Sequence, residues 1–168
     1  MDQAELNTCN KNAALPAGFI KHPVHFLALG LGAGCVPRIP GTAGTLVGVL
    51  VYYFLQPLHI YIYLAVISVM FLAGIWLCGK TAADLGVHDH TAIVWDEIVG
   101  YLITMILAPA GWMWMLAGFV LFRFFDICKP WPVSRVDRGL HGGSGIMLDD
   151  AFAAIYSLAI LQITAYLI

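Results

Sequence analysis

The chain has 168 residues, 61% of them hydrophobic and only 11% charged, with a mean hydropathy of +0.85 and a formal net charge of −2. Soluble domains carry about 25% charged residues, so this composition excludes an ordinary water-soluble globule. The slight acidity excludes a nucleic-acid binder, which needs a basic surface.

No Asp, Glu, Lys or Arg occurs from Ile39 to Gly79, from Ile98 to Phe122, or after Asp150. A membrane helix needs about 20 mostly apolar residues, and these runs are long enough. The fold expected is all-α: a polytopic membrane bundle of about four or five membrane helices plus a short interfacial N-terminal helix. Residues 1–24 read as a flexible tail and residues 25–168 as one membrane-embedded domain. Four cysteines (Cys9, Cys35, Cys78, Cys128) form no CxxC pair and no zinc spacing. Cys35 and Cys78, in or beside apolar segments, read as small hydrophobes.

In chain order, His25–Gly34 is apolar but too short to cross as a helix, which points to an interfacial or re-entrant segment. A lipoprotein-type cleavage before Cys35 would want a larger aliphatic residue where Gly32 stands. Two prolines and two glycines in 36–45 disfavour helix, leaving Thr42 or Thr45 to cap a helix over 45–55. A turn at 56–59 leads to a helix over 58–80. Residues 81–97 form a polar island, and Asp96-Glu97 open a helix over 97–108. Pro109-Ala110-Gly111 then marks a turn or a kink before 111–126. After a long polar segment, Asp149-Asp150 start the last helix, to Ile168. The helices at 45–55 and 97–108 would measure only about 16–18 Å, against a hydrocarbon core of about 30 Å. All eight Lys and Arg lie in the N-terminal region, the 80–97 segment and the 123–150 segment. With a hairpin at each turn, these regions share one side, which the positive-inside rule makes cytoplasmic.

The stretch 123–150 holds four of the eight basic and four of the ten acidic residues. Acids at helix starts (Asp96, Glu97, Asp149, Asp150) have a bland explanation, since negative charge is stabilised there. Asp126 does not: it ends an apolar helix, where the dipole opposes an anion, although Arg123 shares its face. A carboxylate kept at such a place is a functional candidate. Three acidic stations on separate helix ends, with oxygen ligands and no Cys/His cluster, suit a hard cation such as Mg²⁺. Lys129 and Arg135, stiffened between by Pro130 and Pro132, could bind phosphate. The backbone at Gly142, Gly143 and Gly145 could approach an anion closely, and Thr42 and Thr45 offer the same at a helix start. His90 is a candidate acid/base. Cysteine and histidine phosphatase loops are excluded by spacing: Cys128 precedes Arg135 by seven positions, and Lys129 and Arg135 have one residue too few between them with Val136 after the arginine.

Four stretches, PRIPGTAGTL (37–46), GVHDHTAIVWDEIVG (86–100), FRFFDICKPWPVSRVD (122–137) and HGGSGIMLDD (141–150), resemble in order the motifs of the phosphatidylglycerophosphatase A family. The resemblance covers nearly everything after residue 25. It implies Mg²⁺-dependent removal of the terminal phosphate of phosphatidylglycerophosphate, giving phosphatidylglycerol in phospholipid biosynthesis, by a multi-pass protein of the bacterial inner membrane with a cytoplasmic site. It also implies that Asp96, Glu97, Asp126, Asp149 and Asp150 are metal ligands or catalytic carboxylates. Lys129, Arg135 and Asp137 fall in the third motif, and Thr42 and Thr45 in the first. Ala153-Ala154 departs from the Ala-Gly expected there, which touches helix packing rather than chemistry. The partners implied are the lipid substrate and membrane lipids, with no nucleic acid; the oligomeric state is open. The nucleophile is water or a carboxylate, and the lack of an Asp-x-Asp pattern favours water. The rival classes are a small membrane transporter, which would place ionisable groups along a path through the apolar runs, and another lipid phosphotransferase using the same parts.

Overall fold

The computed structural model describes residues 15–87, 90–128 and 142–167. These form six α-helices and no strand: α1 Pro23–Ala28, α2 Pro40–Leu55, α3 Ile60–Leu85, α4 Trp95–Thr104, α5 Trp112–Cys128 and α6 Gly143–Leu167. A 3-10 turn at Phe19–Lys21, inside the expected N-terminal tail, and another at Gly30–Cys35 flank α1.

The ten-residue α4 is the axis of the bundle. It packs against α2, α3, α5 and α6, and Ile98, Val99, Tyr101 and Leu102 are at most 2% exposed. It stops inside the protein, beyond which Leu107 adopts a left-handed φ of 56° and Pro109 supplies no amide donor. A helix ending there leaves carbonyls that need partners. Side chains supply them: Tyr63 donates to the Leu102 carbonyl at 2.8 Å and Gln162 to the Ile106 carbonyl at 2.7 Å.

Two helices begin before the positions expected from the sequence. α2 starts at Pro40, since proline is suited to the first helical position, and runs about 24 Å. The glycines of α2, including Gly41 and Gly44 that read as loop punctuation, face α4 and the residue leading into it. A Cβ on Gly44 would lie 2.6 Å from the Val94 side chain, and one on Gly48 3.2 Å from the Ile98 carbonyl. Small residues at such seams let helix backbones meet closely. Thr45 is therefore no cap: it sits inside the helix, its hydroxyl donating to the Gly41 carbonyl at 2.9 Å. Likewise α6 starts at Gly143, where a Cβ would stand 1.8 Å from the Ile75 carbonyl oxygen. Asp149 and Asp150 thus lie about two turns inside α6 rather than capping it.

Two helices, rather than four or five, have the length and composition to cross a membrane: α3 and α6. The most apolar 18-residue window of α3 is only 22% buried, the reverse of a soluble core helix. Leu46, Phe54, Val69, Leu72, Trp76, Val120 and Ile163 are all exposed on the outside of the bundle, and a large exposed apolar surface marks a partner or a membrane. At the rim, α1 is fixed to α3 through His25. Its ring stacks on Phe19, lies 3.0 Å from the Thr81 hydroxyl and 3.3 Å from Asp84. Burial, then neighbouring His22, holds the His25 pKa below its ordinary 6.5. Asp84 is shared with Lys80. Cys78 is buried as expected, but Cys35 is exposed.

Candidate active site

At the polar end of the bundle is a cavity of about 390 Å³. Four parts of the chain line it: Arg38–Thr42 at the start of α2, residues 90–97 entering α4, the last turns of α5 with Arg123 and Asp126, and Ile146, Asp149 and Asp150 of α6. Each carboxylate is delivered by a different constraint. Asp96 and Glu97 occupy the first turn of α4, where the dipole favours negative charge. Asp126 sits in the last turn of α5, against the dipole, and Arg123 one turn back compensates by donating from Nη1 to Asp126 Oδ2. The same Nη1 lies 3.9 Å from Glu97 Oε1. Asp149 and Asp150 are brought down by the extra turns of α6.

Ligand oxygens of Asp96, Glu97 and Asp150 all lie within 4.8 Å of one another. Asp96, Asp149 and Asp150 are buried. Glu97 Oε2 is buried and accepts no hydrogen bond among the described residues. Burial, then the charge of Asp150, pushes the Glu97 pKa up to about 8; Glu97 lies in the entry turn of α4, outside the two candidate spans. Like charges packed this closely oppose one another's ionisation. A divalent cation would relieve that repulsion, and an all-oxygen donor set fits a hard ion.

The cavity thus gathers Thr42, His90, Asp96, Glu97, Asp126, Asp149 and Asp150 of the expected site residues. His90 is 3% exposed and its Nδ1 accepts the Ala92 amide at 3.1 Å, so the proton of the neutral ring sits on Nε2. Thr45 does not reach the cavity, being turned to its own helix. Gly142, Gly143 and Gly145 do not line it either; Gly143 is a close contact of α6 with α3, also 2.6 Å from the Gly79 nitrogen if given a Cβ. Lys129, Arg135 and Asp137 lie outside the described residues. Two site residues went unassigned in the sequence: Arg123 and Gly41. Arg123 was visible only as a local partner of Asp126 three positions on. Gly41 reads as part of a turn, yet a Cβ there would stand 2.4 Å from Glu97 Oε1 and 3.0 Å from Arg123 Nη1.

The family model described as phosphatidylglycerophosphatase A matches residues 26–165. The chain belongs to that family. Its relatives include the phosphatidylglycerophosphatase A of Haemophilus influenzae, 47% identical over 147 residues (86% of this chain, 90% of that one). That of Escherichia coli K12 is 45% identical over 143 residues, 84% and 83% of the two chains. A protein of Bacteroides thetaiotaomicron named as a putative phosphatidylinositol-3-phosphatase is 36% identical over 150 residues, 84% and 93%. No solved structure matches the chain. Membership of this family and the two long apolar helices make it a membrane-associated phosphoric monoester hydrolase.

Proposed function

We propose that the protein removes the terminal phosphate of phosphatidylglycerophosphate by Mg²⁺-dependent hydrolysis, yielding phosphatidylglycerol for phospholipid biosynthesis. The observation that carries this reading is the convergence of Asp96, Glu97, Asp126, Asp149 and Asp150 on one cavity from three helices. Asp96, Glu97 and Asp150 would hold the ion. When bound, Mg²⁺ supplies charge neutralisation for the phosphoryl oxygens and activation of the attacking water. Arg123 orients Asp126 by donating to its carboxylate at a helix end that disfavours negative charge. Asp126 and Asp149 orient the attacking water and take its proton. His90 Nε2–H, whose tautomer the Ala92 amide sets, donates a hydrogen bond to the departing glycerol oxygen, which takes up the proton that the carboxylates removed from the water. Thr42 and, from the third motif, Lys129 and Arg135 bind the phosphate.

In the membrane, α3 and α6 cross fully, and α2 and α5, at about 24–25 Å, complete a four-helix frame in a thinned bilayer. The frame encloses α4, too short to cross alone. The polar end, with the basic residues of the sequence, faces the cytoplasm of the bacterial inner membrane, and α1 rests at that interface. A transporter reading loses ground because the apolar runs carry no Asp, Glu, Lys or Arg along a path. The experiment is phosphate release by the purified full chain in detergent micelles from phosphatidylglycerophosphate and, separately, phosphatidylinositol 3-phosphate, each with and without Mg²⁺. Preferred, Mg²⁺-dependent release from the first supports the reading. Preference for the second transfers the same chemistry to another headgroup, and no release from either refutes it.

A further inference from the structure

A second cavity, of about 760 Å³, adjoins the first. Arg38, Pro40, His90 and Thr91 line both, so the two share one wall. Their chemistry is opposite. Five carboxylates line the first cavity; among the described residues, none lines the second, where Arg38 is the one Lys or Arg.

Arg38 differs from the other guanidinium of the site. Arg123 is already engaged by Asp126 and Glu97. Among the described residues, no carboxylate lies within ion-pair distance of Arg38, and its side chain is exposed. Its backbone is left-handed, with φ 70°, a conformation unusual for a residue with a Cβ. Strain of this kind persists only where surrounding structure imposes it, and here prolines stand at positions 37 and 40. Arg38 is also tethered close to the reaction. Gly41, three residues on, abuts Glu97, so chain length keeps the Arg38 Cα within about 11 Å of that position.

We propose that the second cavity is a phosphodiester subsite, in which Arg38 binds the internal phosphate of the substrate while its terminal phosphate occupies the carboxylate cavity. The inference rests on the phosphatase reading above. That substrate carries two phosphates bridged by one glycerol, and only the terminal one is released. A diester phosphate offers two unsubstituted oxygens, which the planar guanidinium fork grips as a pair. With no carboxylate among its described lining residues, this cavity takes the permanently anionic group without needing a metal. The diester is unchanged by the reaction, so Arg38 binds substrate and transition state alike. Such binding lowers KM and leaves kcat unaltered.

The test uses the purified full chain in Mg²⁺-containing mixed micelles, comparing wild type, Arg38→Ala and Arg38→Lys. Phosphatidylglycerophosphate is the substrate and inorganic phosphate the competing inhibitor. The expected result for Arg38→Ala is a KM raised on the order of tenfold to a hundredfold, the range of a lost charge-assisted contact, with kcat held within about twofold. Arg38→Lys, keeping the charge but losing the fork, falls between. Inhibition by inorganic phosphate, which has no diester, stays at its wild-type strength. An unchanged KM, or a fall confined to kcat, overturns the proposal. A parallel weakening of phosphate inhibition also overturns it, by moving Arg38 to the monoester cavity. A wild-type protein that releases no phosphate would remove the phosphatase reading itself, and the subsite with it.

Discussion

Adding one methyl group at Gly41 tests whether the carboxylate cavity is the reaction centre. The Cβ of Gly41→Ala would sit 2.4 Å from Glu97 Oε1, and ordinary contact begins near 3.4 Å, so the carboxylate must retreat by about 1 Å. The clash falls on the far end of a side chain, not on backbone, so the helices need not separate. Fold stability then changes little: overpacking costs about 1–3 kcal/mol, and replacing a helical glycine by alanine returns about 0.5–1 kcal/mol. Chemistry is far less tolerant. A misplacement of about 1 Å can cost about 100-fold in rate, and ligand distances must hold to within about 0.2 Å for a metal site to form. Gly41→Ala is therefore expected to unfold within a few degrees of wild type in detergent, with kcat/KM down about 100-fold and a higher Mg²⁺ concentration needed for half-maximal activity. Thermal unfolding and Mg²⁺ titrations of phosphate release read both. A variant with wild-type rate and Mg²⁺ dependence would refute the assignment of Glu97 to the metal, whatever its stability.

Asp126→Asn should remain folded, since the amide oxygen can still accept from Arg123, but lose about 10²–10³-fold in kcat; near-normal turnover would take Asp126 out of the site. EDTA should silence phosphate release and Mg²⁺ restore it, and turnover that survives chelation would disprove the metal assignment. The Glu97 pKa, pushed up to about 8 from an ordinary 4.5, means the folded, metal-free protein holds a proton that the unfolded chain has released. Its stability should fall as pH rises between those values and level off above about 8. Unfolding temperatures of EDTA-treated protein should show that decline, and Glu97→Gln should flatten it. Gly143→Ala places a Cβ 1.8 Å from a backbone oxygen of α3, so it should destabilise the fold by about 1–3 kcal/mol or more, seen as a lower unfolding temperature. Gly142→Ala, with nothing within 4 Å but φ +79°, should cost about 1–2 kcal/mol through backbone strain alone.

The acidic stations were legible in the sequence because charge is so scarce in this chain that each carboxylate demands a reason. Asp126 in particular, placed where a helix dipole opposes it, pointed to the cavity that it shares with the other stations once folded. The helix starts at Pro40 and Gly143 were not legible. Glycine and proline weigh against helix locally, and intrinsic propensity is overridden when close packing requires small residues. That requirement belongs to the partner helix, which no local pattern names. For the same reason Gly41, Gly44 and Gly143 read as loop when they are seams. Arg123 was visible as a neighbour of Asp126 three positions away, yet its contact with Glu97 crosses between helices. The long polar segment from Lys129 to His141, with Lys129 and Arg135, lies outside the described residues.

Because α6 begins at Gly143, about two turns before Asp149 and Asp150, these acids sit roughly 9–10 Å down the helix axis from its mouth. They therefore spring from regular helix rather than from an end that frays, and the backbone on either side of them is already hydrogen-bonded. Their positions opposite Asp96 and Glu97 are set by the course of α6, so the spacing of the carboxylates is fixed by the packing of the bundle and not by a loop.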